Sequence, residues 1–193
     1  YKQGNSVIKL AKIAEKINKN IILAVQPTDI YQIKKQTNLK IFSQHVDPYE
    51  IGRNTGYILP EAVKIAGASG TFLNHSEHKL NFKILKQSIQ RCKKLKLKTV
   101  VFAKNIKEAQ KISKLKPTFI ALEPPELIAK KSISKTKPDL IKKTIQQVKA
   151  NILVGAGIKN KNDVKIAKQL GAKGVLVSSA ITKSKNPKKT IKE

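Results

Sequence analysis

The chain of 193 residues contains no methionine, no tryptophan and a single cysteine, Cys92. One cysteine excludes an intrachain disulfide and suits a reducing compartment, where a buried free thiol is its expected state. A primary translation product begins with methionine, so the chain is expected to be processed or to be part of a longer product. Aromatic residues make up only 5% of it, which is poor material for the stacking platforms of a single-strand nucleic-acid binder. No apolar run approaches the ~20 residues of a membrane-spanning helix. Tyr1-Lys2-Gln3-Gly4 leads straight into an amphipathic segment, unlike a secretory signal. A cytoplasmic protein without a membrane partner is expected.

Acidic residues are also scarce, 12 against 40 basic ones, for a net charge of +28. All the basic residues are lysine except Arg53 and Arg91. Readers of nucleic acid combine clustered charge with arginine forks, whereas these lysines are spread along every predicted helix. They read as a solvated surface that draws anionic substrates and binds nucleic acid weakly at low salt, with no specific nucleic-acid partner.

What is present is a hydrophobic period that switches repeatedly between helix and strand. Ser6 is positioned to cap a helix carrying Val7, Ile8, Leu10, Ala11, Ile13, Ala14 and Ile17 on one face. Short apolar runs at 21–25, 40–44, 70–74, 99–103, 119–122, 152–154 and 175–177 read as strands. Helical segments are expected near 29–36, from Pro60, and over 80–95, 106–115, 138–149 and 162–170, with another starting at Asn186. A long loop is expected between residues 122 and 137.

Seven strands, each apolar throughout and alternating with helices, belong to a parallel sheet covered by helices. No Gly-x-Gly-x-x-Gly turn follows an early strand, which weakens a dinucleotide-binding sheet. The chain opens on a helix and is shorter than the ~200 residues at the low end of barrel enzymes. An α/β fold of the (β/α)8-barrel type lacking its first strand satisfies both facts. Residues 1–193 are expected to form a single barrel domain, truncated before Tyr1 and within the last helix.

Barrel chemistry sits at the carboxyl ends of the strands. Three segments fall there: Asn74-His75-Ser76-Glu77, the run 122–128 (Leu-Glu-Pro-Pro-Glu-Leu-Ile), and the turns Gly155-Ala156-Gly157 and Ser178-Ser179. A histidine and a glutamate on different strands can face one centre, one donating a hydrogen bond to a carbonyl while the other removes a neighbouring proton.

These segments resemble the archaeal-type triose-phosphate isomerases. Segment 42–48 (Phe-Ser-Gln-His-Val-Asp-Pro), segment 59–63 (Leu-Pro-Glu-Ala-Val), Ser134 with Pro138, Gly155 to Ile158 and segment 174–179 (Gly-Val-Leu-Val-Ser-Ser) extend the resemblance over essentially the whole chain. It implies interconversion of dihydroxyacetone phosphate and D-glyceraldehyde 3-phosphate through an enediol(ate), in glycolysis and gluconeogenesis. It implies Glu123 as general base and His75 as the neutral electrophile that polarises the carbonyl. Ile128, Gly157, Ser178 and Ser179 would surround the substrate phosphate, and Glu77 would be a buried acid organising the site. No metal and no organic cofactor are implied. Thr55 resembles the tip of a loop inserted into a neighbouring subunit, which implies a homodimer or homotetramer. The resemblance departs at Ala129-Lys130-Lys131, where relatives read Gly-Thr-Gly, and one residue is missing before Ser134. It also places an Asn-x-Lys strand end just before Tyr1. The competing readings are another phosphate-binding barrel enzyme, such as an isomerase or lyase of tryptophan biosynthesis, and a basic nucleic-acid-binding protein.

Overall fold

The computed structural model describes residues 2–128 and 132–192. Its sheet has seven strands: β1 (Ile22–Val25), β2 (Lys40–Ser43), β3 (Gly70–Leu73), β4 (Lys98–Ala103), β5 (Phe119–Leu122), β6 (Ile152–Val154) and β7 (Gly174–Val175). They lie in chain order, and every neighbouring pair is parallel. Each crossover carries a helix: α2 (Ile30–Gln36), α3 (Pro60–Ile65), α4 (Phe82–Lys94), α5 (Ile106–Ser113), α7 (Pro138–Gln147) and α8 (Lys161–Gln169). Strict sequential order with parallel pairing is the winding of a (β/α) barrel, in which each unit packs beside the last with one hand.

The alternation of the strands divides the apolar side chains into two cores, because successive residues point to opposite faces of a sheet. Phe42, Val100, Phe102 and Ala121 cluster with Ala24, Phe72, Phe119, Leu153 and Leu176 on the inner face. Ile41, Val101, Ala103, Ile120, Leu122 and Val154 point outward, into the larger core beneath the helices. Gly70 makes the inner packing possible. A Cβ there would lie 2.6 Å from the Phe42 ring and 2.6 Å from the Lys98 carbonyl oxygen. Fully burying an isoleucine such as Ile41, Ile120 or Ile141 contributes roughly 1.5–3 kcal/mol, so the outer core carries most of the stability.

The ends of the sheet are β1 and β7, which do not pair with each other. The helical layer does meet there, where α1 (Asn5–Ile17) packs on α10 (Pro187–Lys192). No helix of the described residues is long and apolar enough to cross a membrane.

Local differences from the sequence reading have simple causes. The first helix starts at Asn5 rather than after Ser6. The Ser6 hydroxyl instead closes a turn on Gln3, donating to its carbonyl at 2.7 Å and accepting from its N–H at 3.0 Å. The expected loop between 122 and 137 contains a 3-10 turn, Pro125–Leu127, and a short helix, α6 (Ile133–Thr136). Ile133 is fully buried there and anchors the segment to the outer core. A further short helix, α9 (Ser179–Thr182), follows β7. Cys92 is a buried free thiol, and burial pushes its pKa up to about 12.

Candidate active site

Because all strands run the same way, the residues just past their carboxyl ends share one mouth. His75 lies two residues beyond β3 and Glu123 one residue beyond β5, and the fold brings them together across β4. His75 Nε2 is 3.1 Å from Glu123 Oε2. The histidine side chain is 28% exposed and the glutamate 11% exposed, so the ring is open to a ligand while the carboxylate is nearly enclosed. Despite that proximity, Glu123 Oε2 has no aligned hydrogen-bond donor. A buried carboxylate oxygen with spare acceptor capacity is costly in a static protein and suits a group whose work is to take a proton.

The His75 ring is fixed on three sides. Phe102, projecting from β4 into the inner core, meets it edge to face with centroids 4.6 Å apart. The Glu77 backbone N–H donates to His75 Nδ1 at 3.3 Å, leaving Nε2 as the protonated nitrogen in the neutral tautomer. The Glu77 carboxylate also stands 3.5 Å from Nδ1, but its side chain is 87% exposed. The expected buried acid at Glu77 is therefore corrected. Glu77 sits in the turn after β3, its side chain points to solvent, and its main chain holds the ring.

Opposing influences act on the imidazole. The contact with Glu123 is the strongest and favours the charged form, while desolvation opposes it. The net effect raises the His75 pKa above 6.5. Both the partner that favours imidazolium and the N–H that favours the neutral ring are in place. Displacing the Glu123 contact onto a substrate would leave only the N–H.

Asn74, quoted in the motif but not singled out, organises this turn. It adopts a left-handed backbone (φ 60°), a conformation asparagine tolerates better than most residues. Its buried amide donates to the Phe102 carbonyl at 2.9 Å and to Glu108 Oε1 at 3.1 Å, and its Oδ1 accepts from Leu80 N–H at 3.1 Å. Burial raises the Glu108 pKa, but bonds from the Lys104 N–H, the Asn74 amide and Lys79 outweigh it, and the net shift is downward. One side chain thus ties β4, α5 and both ends of the 74–80 turn. The cue available in the sequence was an asparagine directly after an apolar strand.

The remaining expected residues follow the carboxyl ends of β5, β6 and β7. Gly155 follows β6, and a Cβ there would lie 2.9 Å from Glu123 Oε1, so its bare backbone makes room for the carboxylate. Ala156 (φ 79°) and Gly157 (φ 67°) both turn left-handed, which swings the main chain across the strand end. The Ala156 carbonyl accepts from the Ile133 N–H at 3.2 Å. Ser178 and Ser179 stand where the chain leaves β7 and enters α9. Ile128 ends the 3-10 turn after Glu123 and packs against the outer core. Ala129-Lys130-Lys131 lie outside the described residues. Among the described residues, no group of three or more His, Cys, Asp or Glu side chains is arranged to hold a metal ion.

The family model described as "Triosephosphate isomerase" matches residues 2–193. The chain is 39% identical to a triosephosphate isomerase of Methanocaldococcus jannaschii, covering 98% of this chain and 91% of that protein. It is 41% identical to one from Caldivirga maquilingensis, covering 95% and 86%. In fold it is similar to the crystal structure of the Bartonella henselae triosephosphate isomerase, with a TM-score of 0.69, 16% identity, and coverage of 91% of this chain and 87% of that one. The N-acetylmannosamine-6-phosphate 2-epimerase of Clostridium perfringens is similar at a TM-score of 0.66 and 17% identity, covering 90% and 78%. With sequential parallel strands, a histidine and glutamate meeting at their carboxyl ends, and matches over nearly its whole length, the chain belongs to the triosephosphate isomerase family.

Proposed function

We propose that the protein interconverts dihydroxyacetone phosphate and D-glyceraldehyde 3-phosphate, with Glu123 as the base and His75 as the electrophile. The observation that carries this reading is the 3.1 Å approach of His75 Nε2 to a nearly enclosed Glu123 oxygen with no aligned donor. Glu123 takes a proton from the carbon beside the carbonyl. His75 Nε2–H donates to the carbonyl oxygen, where negative charge develops. The enediol(ate) then regains a proton from Glu123 on the neighbouring carbon while His75 moves protons between the two oxygens. Atoms balance without an external reactant, as an isomerisation requires, and no step calls on a metal or an organic cofactor.

Gly157, Ser178, Ser179 and Ile128 are proposed to surround the substrate phosphate, whose two negative charges suit main-chain N–H groups at a turn and a helix start. A net charge of +28 favours the encounter with a dianion. The proposed setting is cytoplasmic glycolysis and gluconeogenesis. A homodimer or homotetramer is proposed from the loop that carries Thr55, where Ile51 is 74% and Tyr57 51% exposed. Exposed apolar groups this close together commonly mark an interface. Turnover of triose phosphates by the native protein, measured against larger sugar phosphates, tests the assignment. Triose turnover without turnover of the larger substrates is expected, and the reverse preference would overturn it.

A further inference from the structure

Two histidines beyond the catalytic one meet beside it, and the proposed chemistry uses neither. His45, two residues past β2, is buried at 8% exposure. Its Nε2 lies 3.2 Å from Asp47 Oδ1, and its main chain is held by Ser43, whose hydroxyl donates to the His45 carbonyl at 2.6 Å. Asp47 is itself fixed. Its second oxygen accepts from the Ile58 N–H at 2.8 Å, and its own N–H donates to the Ile58 carbonyl at 2.8 Å. These bonds close the neck of the 48–57 loop, so the orientation of the His45 ring is set by a main-chain frame.

That ring packs against His78 with centroids 4.2 Å apart and planes tilted by 36°. The His78 N–H donates to the His75 carbonyl at 3.0 Å, closing the one-turn reversal whose Glu77 N–H meets His75 Nδ1. A chain of contacts thus runs from the loop neck through Asp47, His45 and His78 to the turn that aims the catalytic imidazole. Burial holds the His45 pKa below 6.5, and the Asp47 contact only partly offsets it. Burial thus disfavours the charged ring, and with it like-charge repulsion against His78. An aliphatic residue would offer neither a donor to Asp47 nor a flat face to His78.

We infer that His45 is a positioning residue for His75, acting through its ring contact with His78 and oriented by Asp47. The inference deepens the proposed function and rests on it. His45 touches no reacting atom, so its removal should lower kcat and leave KM within about twofold. Displacements well under 1 Å at a reacting centre cost on the order of tenfold, and 1 Å about a hundredfold. A tenfold or greater fall in kcat is therefore expected for His45→Ala, with only partial recovery in His45→Phe, which restores a face for His78 but not the bond to Asp47. His78→Ala approaches the same contact from the exposed side and leaves the core closed, so it serves even where His45→Ala does not fold. It should match the fall, and the double variant should be no worse than either single one.

The 15N shifts of the His75 ring in the unliganded protein supply a readout independent of turnover. Recorded at a pH above the raised His75 pKa, they should report Nε2–H in the native protein and a mixture of tautomers in His78→Ala. Native kcat in His78→Ala, multiplicative losses in the double variant, or an unchanged His75 ring spectrum would each overturn the inference. Absence of triose-phosphate turnover in the native protein would instead refute the proposed function, with the ring spectra still testing the positioning role.

Discussion

Replacing Gly155 by alanine adds one methyl group beside the proposed base. The new Cβ would sit 2.9 Å from Glu123 Oε1 and 3.5 Å from its Cδ. Comfortable carbon–oxygen contact needs about 3.3 Å or more, so the carboxylate must retreat by a few tenths of an ångström. If 1 Å of misplacement costs about a hundredfold, a shift of 0.3–0.5 Å costs roughly four- to tenfold in kcat. Stability should move the other way or hardly at all. Gly155 does not have a left-handed backbone, and Gly→Ala at a compatible position stabilises by about 0.4–1 kcal/mol through the unfolded chain. The assay pairs steady-state kinetics with thermal melting. A four- to tenfold fall in kcat at an unchanged or raised Tm is expected. Native kcat in Gly155→Ala would refute the claim that this glycine makes room for the carboxylate, and a large drop in Tm would assign the effect to folding.

Other outcomes follow from the same geometry. In an NMR titration of the unliganded protein, His75 should titrate above 6.5 and His45 below it, because Glu123 favours imidazolium at one and burial opposes it at the other. By linkage, the His75 contact stabilises the fold fully below pH ~6.5 and is lost as pH rises through the raised pKa, whereas His45 favours the fold above ~6.5 and loses that effect as pH falls. Coincident titration of the two would contradict the assignment. Asn74→Ala removes three hydrogen bonds and a tolerated left-handed residue, so it should destabilise by about 2–4 kcal/mol in denaturant unfolding and lower kcat by freeing the His75 turn. Arg91 pairs with Glu61 and, at 3.3 Å, with Glu50, its own side chain 16% exposed. Arg91→Ala should cost about 1–3 kcal/mol by stranding the Glu61 carboxylate; an unchanged midpoint would show that this cluster contributes nothing.

Much of the architecture was legible because it depends on strand and helix chemistry alone. Short apolar runs such as 119–122 and 152–154 became strands at the same residues, and Pro60 and Pro138 opened helices where their fixed φ is already helical. The convergence of His75 and Glu123 was legible from their place after parallel strands. Details set by turn geometry were not. Glu77 looks like an acid for the interior, yet the turn after β3 sends its side chain to solvent and uses its N–H instead. The contact of His45 with His78 joins loops 33 positions apart and leaves no periodic trace in the chain. The division of apolar residues between inner and outer cores emerges only once the register of neighbouring strands is fixed, as with Gly70 opposite Phe42.

The central claim is that the Glu123 carboxylate moves the proton. It is tested most directly by incubating the native protein and Glu123→Gln with dihydroxyacetone phosphate in D2O and following deuterium entry at the carbon bearing the hydroxyl. Glutamine keeps the volume beside Gly155 and removes the basic carboxylate. The account predicts deuterium entry by the native protein and, in Glu123→Gln with an unchanged melting curve, exchange slower by about a hundredfold or more. Exchange at the native rate in that variant would show that another group takes the proton.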